Sequence, residues 1–158
     1  MSVPDAIAPL IGYRTWAMGL GQLWSPHGPG RQRWPRTEPL RAICLRHGVP
    51  SFVNPRIPEH AAPDQHCTCG IYATFAPWDL EFDELRHPWA LVAGQVEGWG
   101  RVALGERGFR AELARPRQLF DELWWDEATR RAAARAARAY GIPFVSWETS
   151  PTHSILRG

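Results

Sequence analysis

The chain has 158 residues, 44% of them hydrophobic and 22% charged, which suits one folded domain and excludes general disorder. A formal net charge of +2 is too mild to mark a nucleic-acid partner by charge alone. No apolar run reaches the roughly 18 residues of a membrane span, and "MSVPDAIAPLIGYRTW" lacks the basic start and apolar centre of a signal peptide. A cytoplasmic protein without membrane contact is therefore expected.

Residues 1 to 11 read as a leader. In "GYRTWAMGLGQLWS", Tyr13, Thr15 and Ala17 alternate with Arg14 and Trp16, which predicts a strand, a glycine turn and a second strand. "PHGPGRQRWPRTEP" is dense in Pro and Gly and reads as a connector. "LRAICLRHG" puts Leu40, Ala42 and Cys44 on one side and Arg41 and Ile43 on the other, the pattern of a strand that delivers Cys44 to one face. From 49 to 65, four prolines and no helical period predict a long irregular loop, which a compact domain keeps only when it is functional or pinned.

After Cys69 and Gly70, short helices are expected at Ala73 and around Trp78 to Arg86. "WALVAGQVEGWGRVALGERGFRAELARPRQLF" reads as two or three strands with "GERG" as a hairpin turn, and Gly94, Gly98 and Gly100 predict bulges or tight curvature. "DEATRRAAARAARAYGIP" predicts a helix capped by Asp126 and ended by Gly141 and Pro143. The rest is a tail. The expected domain spans 12 to 145, and the expected fold is α+β: a strongly bent, partly closed antiparallel sheet with a metal-pinned loop and a C-terminal helix.

Three cysteines cannot all pair, and a reducing compartment disfavours disulfides. Cys44, Cys67 and Cys69 supply three soft ligands, and His60 or His66 a fourth, which is a Cys3His set suited to tetrahedral zinc. His60 is preferred, because His66 is bonded directly to Cys67 and neighbouring side chains in extended chain point to opposite faces. His47 is a weaker candidate near Cys44. "CTC" separates its pair by one residue where zinc knuckles leave two or more, so the motif is less specific than paired CxxC hooks. Without a metal, Cys44 is a buried strand residue and the other two are incidental loop thiols.

Four protein ligands saturate tetrahedral zinc, whereas catalytic zinc keeps a position for water, so the expected role is structural. The opposing reading is a zinc-dependent hydrolytic enzyme with three ligands and Glu59 as general acid or base beside His60. His60 is followed by "AAPDQHCTC", not by the glutamate and PCxxC of zinc deaminases, and HExxH, a phosphate loop and GxSxG are all absent.

"GYRTW", Cys44, "HAAP", "CTCGIYA" and "GQVEGWGRVALGERGFRAELARPRQLF" together resemble a group of small uncharacterised actinobacterial proteins with a C…HxAP…CxCGIYA…WGxV…ERGxRAE pattern. The resemblance covers roughly residues 12 to 120. It implies no activity, and it favours His60 over His66 as the ligand.

Nine tryptophans exceed what core filling needs, since each indole N–H wants a partner. Trp16 beside Arg14, and Trp99 between glycines, are the candidates for ligand stacking, with Arg14, Arg101 and Arg110 as basic contacts. Arg131, Arg135 and Arg138 form one helical stripe, which reads first as a solvated face. The expected function is a non-catalytic, zinc-stabilised binding module, regulatory or accessory, that contacts nucleic acid or a protein partner. The third alternative is a structural subunit of a larger assembly.

Overall fold

The computed structural model describes residues 8–26, 32–44, 60–80, 90–122 and 125–146. The elements in chain order are β1 (Leu10–Gly19), β2 (Gln22–Trp24), β3 (Leu40–Arg41), β4 (Ile71–Thr74), a 3-10 turn (Pro77–Asp79), β5 (Leu91–Leu104), β6 (Gly108–Asp121), α1 (Glu127–Tyr140) and β7 (Phe144–Ser146). Among the described residues strands dominate, with one α-helix, which is the α+β class. Ala73 belongs to strand β4, where Ile71 and Ala73 face inward and Tyr72 outward, and not to a helix. β1 begins at Leu10, inside the stretch read as a leader.

Two long strands organise the sheet. β5 and β6 pair antiparallel from Gly94↔Leu119 to Leu104↔Phe109, and β1 pairs β5 from Leu10↔Gly98 to Ala17↔Leu91. β4 lies on the other side of β6, from Ile71↔Ala111 to Thr74↔Gly108, and meets β1 at Tyr13↔Thr74. The pairings β1–β5–β6–β4 therefore form a circuit that this single pair closes. The expected all-antiparallel sheet is corrected at one edge, because β7 runs parallel to β6. A chain returning from α1 can take that direction, since the helix has already reversed it.

Local sequence explains the joints. Leu20 and Gly21, both at positive φ, form the tight turn between β1 and β2. The β5–β6 register shifts between Gln95 and Val96 and again between Trp99 and Val102, next to Gly94, Gly98 and Gly100 as the glycines predict. Gly100 stands at φ 76, a conformation other residues rarely adopt.

Both faces of β1 are buried. Trp16 packs with Trp34, Leu23, Val92 and the alanine face of α1, while Tyr13 joins Ala93 and Phe120 on the other side. Tyr140 ties α1 to β2: its hydroxyl donates to the Trp34 carbonyl at 2.7 Å and accepts from Leu23 N–H at 3.1 Å, with the Gln22 amide alongside. No helix of the described residues is long and apolar enough to cross a membrane.

Candidate metal centre

Cys44 arrives as its alternation predicts. Leu40, Ala42 and Cys44 are buried and Arg41 and Ile43 are exposed, and Ala42 N–H donates to the Glu112 carbonyl at 2.7 Å, which prolongs the β3–β6 ladder toward the cysteine. The other ligands come from the segment that enters β4. There Ala62 and Pro63 are buried, and Asp64 folds a turn by accepting His66 N–H on its carboxylate at 2.8 Å and Cys67 N–H on its carbonyl at 3.2 Å.

Cys44, His60, Cys67 and Cys69 each present one ligand atom, and all four atoms lie within 4.8 Å of one another, close enough to hold a metal ion. The Cys44 and Cys67 sulfurs are 3.8 Å apart, and Cys69 Sγ lies 3.4 Å from His60 Nε2. A disulfide would need about 2.05 Å, and all three thiols are free. His66 stands outside the cluster, exposed, with its ring against Gln65.

The cluster is prepared for a cation. The Cys67 thiol is held down to about 7, first by a backbone N–H from Cys69 and then by the Cys44, Cys69 and His60 side chains. Cys69 is pushed up, chiefly by burial and also by the neighbouring sulfurs. Three sulfurs this close repel one another as thiolates, and a bound cation removes that conflict.

Arg110 has a role that its exposed-contact expectation missed. Its Nη1 donates to the carbonyls of Asp64 at 3.2 Å and Cys69 at 2.7 Å, and to that of Cys67. Tyr72, its partner across the β4–β6 ladder, donates its hydroxyl to the Thr68 carbonyl at 2.6 Å. This cross-strand pair answers where the carbonyls of a loop without its own ladder are satisfied. Gly70 makes the close approach possible: it sits at φ 121, and a Cβ there would lie 2.9 Å from Arg110 Cβ and 3.0 Å from Pro63 Cβ.

The other expected contact residues divide. Trp16 is corrected to a core residue: it is 0% exposed and edge-on to Trp34 at 5.5 Å, so it has no face left for a ligand. Trp99 is half-buried, and Arg115 covers its ring at 5.7 Å, so the neighbouring glycines do not leave that face open. Arg101 is exposed, and its backbone N–H donates to Glu112 Oε2 at the bulge. Arg14 lines a cavity beside the metal centre. Glu59 and His47 lie outside the described residues. On α1, Arg131, Arg135 and Arg138 are exposed opposite buried Ala133, Ala136, Ala137 and Tyr140, the solvated face that the stripe predicts.

No protein-family model matches the chain, and no curated protein or solved structure matches it either. The function has to be read from the site itself.

Proposed function

We propose that this protein is a non-catalytic, zinc-stabilised binding module. The observation that carries the reading is the closed ligand set: three sulfurs and one imidazole nitrogen gathered within 4.8 Å. Zn–S bonds of about 2.3 Å and Zn–N bonds of about 2.0 Å give tetrahedron edges of about 3.8 and 3.5 Å. Of the six separations, Cys44–Cys67 at 3.8 Å and Cys69–His60 at 3.4 Å match these edges. Three thiolates and an imidazole select zinc over harder cations, and four protein ligands leave no position for a reactive water. That closure favours a structural ion over the hydrolytic alternative with Glu59.

The metal loop leads into β4, and the contact surface belongs there. Tyr72, Phe75 and Trp78 are exposed on β4 and the turn after it, and Leu104 is exposed near the β5–β6 turn. Isolated exposed apolar residues mean little, but aromatic groups next to a pinned loop form a contact surface. A protein partner is favoured over nucleic acid, because the net charge is only +2 and several arginines of the described residues are already paired with carboxylates. Among the described residues Arg41 meets Glu112, Arg107 meets Asp79, Arg115 meets Glu97, Arg130 meets Asp121 and Arg131 meets Glu127, so these five arginines already carry a counter-charge.

Elemental analysis of freshly prepared, reduced protein should find about one zinc per chain. Cys44→Ser, His60→Ala and Cys69→Ser should lose it, and His66→Ala should keep it. Cobalt substitution then tests closure, since the thiolate–cobalt spectrum should stay unchanged when azide or cyanide is added. An anion-induced spectral change would reveal an open position and revive the hydrolytic reading.

A further inference from the structure

Among the described residues the ladder between β1 and β4 consists of the single pair Tyr13↔Thr74. Toward Arg14 and Thr15 on one strand and Tyr72 and Ile71 on the other they part, and a cavity of about 670 Å³ lies between them. Its walls are completed by Ala42–Cys44 and by the metal loop at 67–70. This volume falls within the range of small-molecule sites, about 300 to 1,000 Å³.

Arg14 is the cation of this cavity. Its guanidinium lies over the Trp34 ring at 5.2 Å, and it donates from Nη1 to the Tyr72 carbonyl at 2.6 Å and from Nη2 to Ser25 Oγ at 3.2 Å. A guanidinium carries five N–H donors, and the Nε of Arg14 is buried with no acceptor among the described residues. No described carboxylate pairs with it. Asp79 lines the same cavity, but its Oδ1 accepts from Nε and Nη2 of Arg107 at 3.0 and 2.5 Å. Burial pulls the Arg14 guanidinium down to about 10, the direction expected of a cation taken from water.

We propose that this cavity binds a small organic monocarboxylate with an apolar body, its carboxylate meeting the remaining N–H on each of the two Nη atoms of Arg14. The planar fork of a guanidinium matches a carboxylate in geometry and charge. Tyr13, Ile43 and Leu80 line the cavity and suit an apolar body. Arg14 is the one cation among the described lining residues, and Asp79 beside it opposes a dianion such as phosphate. The site is distinct from the metal and goes beyond the partner-binding reading, although the metal loop forms one wall.

The test uses the purified full chain, with its metal content measured in every sample. 4-Phenylbutyrate is titrated by calorimetry, in parallel with its methyl ester and inorganic phosphate, and the arginine Nε–H and indole N–H signals are followed by NMR. One saturable site is expected for the acid, with shifts at Arg14 and Trp34 and binding of the ester weaker by about tenfold or more. Arg14→Gln should weaken the acid by about tenfold or more at unchanged metal content, and Arg14→Lys should recover part of the loss. If Arg14→Gln does not fold, the wild-type NMR shift of the Arg14 Nε–H decides. The proposal is overturned by no saturable binding, by equal binding of acid and ester, by preferred binding of phosphate, or by an unmoved Arg14 signal. Metal-free protein that still binds the acid through Arg14 would sustain this site while overturning the zinc centre.

Discussion

Arg110 shows how one side chain can govern a site that it does not ligate. Its guanidinium holds three carbonyls of the metal loop from behind, and the Tyr72 hydroxyl holds a fourth. Such supporting groups orient ligands, and their loss costs about 10- to 100-fold in metal affinity. Arg110→Met should therefore weaken zinc binding by about that factor in competition with a chromogenic chelator. Arg115→Met, which removes a guanidinium from the same strand but away from the loop, should leave the affinity unchanged. Equal affinity in both variants would show that the two ligand-bearing segments hold their geometry without the arginine.

At the scale of the element, α1 is the most locally determined part of the chain. Asp126 accepts Thr129 N–H at 2.7 Å, and Gly141 closes the helix at φ 64, with Ile142 N–H reaching the Ala137 carbonyl at 3.0 Å. Its buried face is nearly all alanine, so the helix can lie close to the sheet. The Thr129 amide holds the Asp126 carboxyl below the usual carboxylate range. A carboxyl lowered by folding stabilises the native state above its unfolded pKa, and that contribution fades as pH falls through the folded value. The difference in Tm between wild type and Asp126→Ala should accordingly be largest near neutral pH and shrink in acid. Thermal melts of both proteins across that range check it, and a constant difference would mean that the ionised carboxylate is not the source.

For the whole molecule, the core and the metal loop are separable. Trp16, Trp34, Val92, Leu119 and the α1 alanines form one cluster, and Tyr13, Ala93 and Phe120 form another; of the candidate ligands, Cys44 is buried at the edge and Cys69 packs against the first cluster. The loop that supplies His60, Cys67 and Cys69 touches the core only through Ala62, Pro63 and Cys69 among the described residues, and is otherwise held by Arg110, Tyr72 and the Cys/His cluster. Chelation should therefore release amide-exchange protection first in residues 60–70, while the β1–β5–β6 amides stay protected at low temperature. Simultaneous loss of protection throughout would mean that the ion supports the entire fold.

Sequence alone determined what depends on residue chemistry and short-range geometry. Cys44, Cys67 and Cys69 are soft ligands wherever they lie, and the adjacency of His66 to Cys67 was enough to prefer His60, the histidine found in the cluster. Asp126 and Gly141 mark the helix ends because caps act within a few residues, and the alternation from Leu40 to Cys44 survives because a strand turns its side chains over at each step. Only the tertiary structure decided what depends on partners distant in sequence. Pairing of Tyr72 with Arg110 turned an arginine expected on a contact surface into the clamp of the metal loop. Burial of β1 on both faces removed Trp16 from the surface, and the parting of β1 from β4 left Arg14 in a cavity with no carboxylate paired to it among the described residues. Local pattern carries no information about which strand lies across from which, and the environments of those three residues follow from that pairing alone.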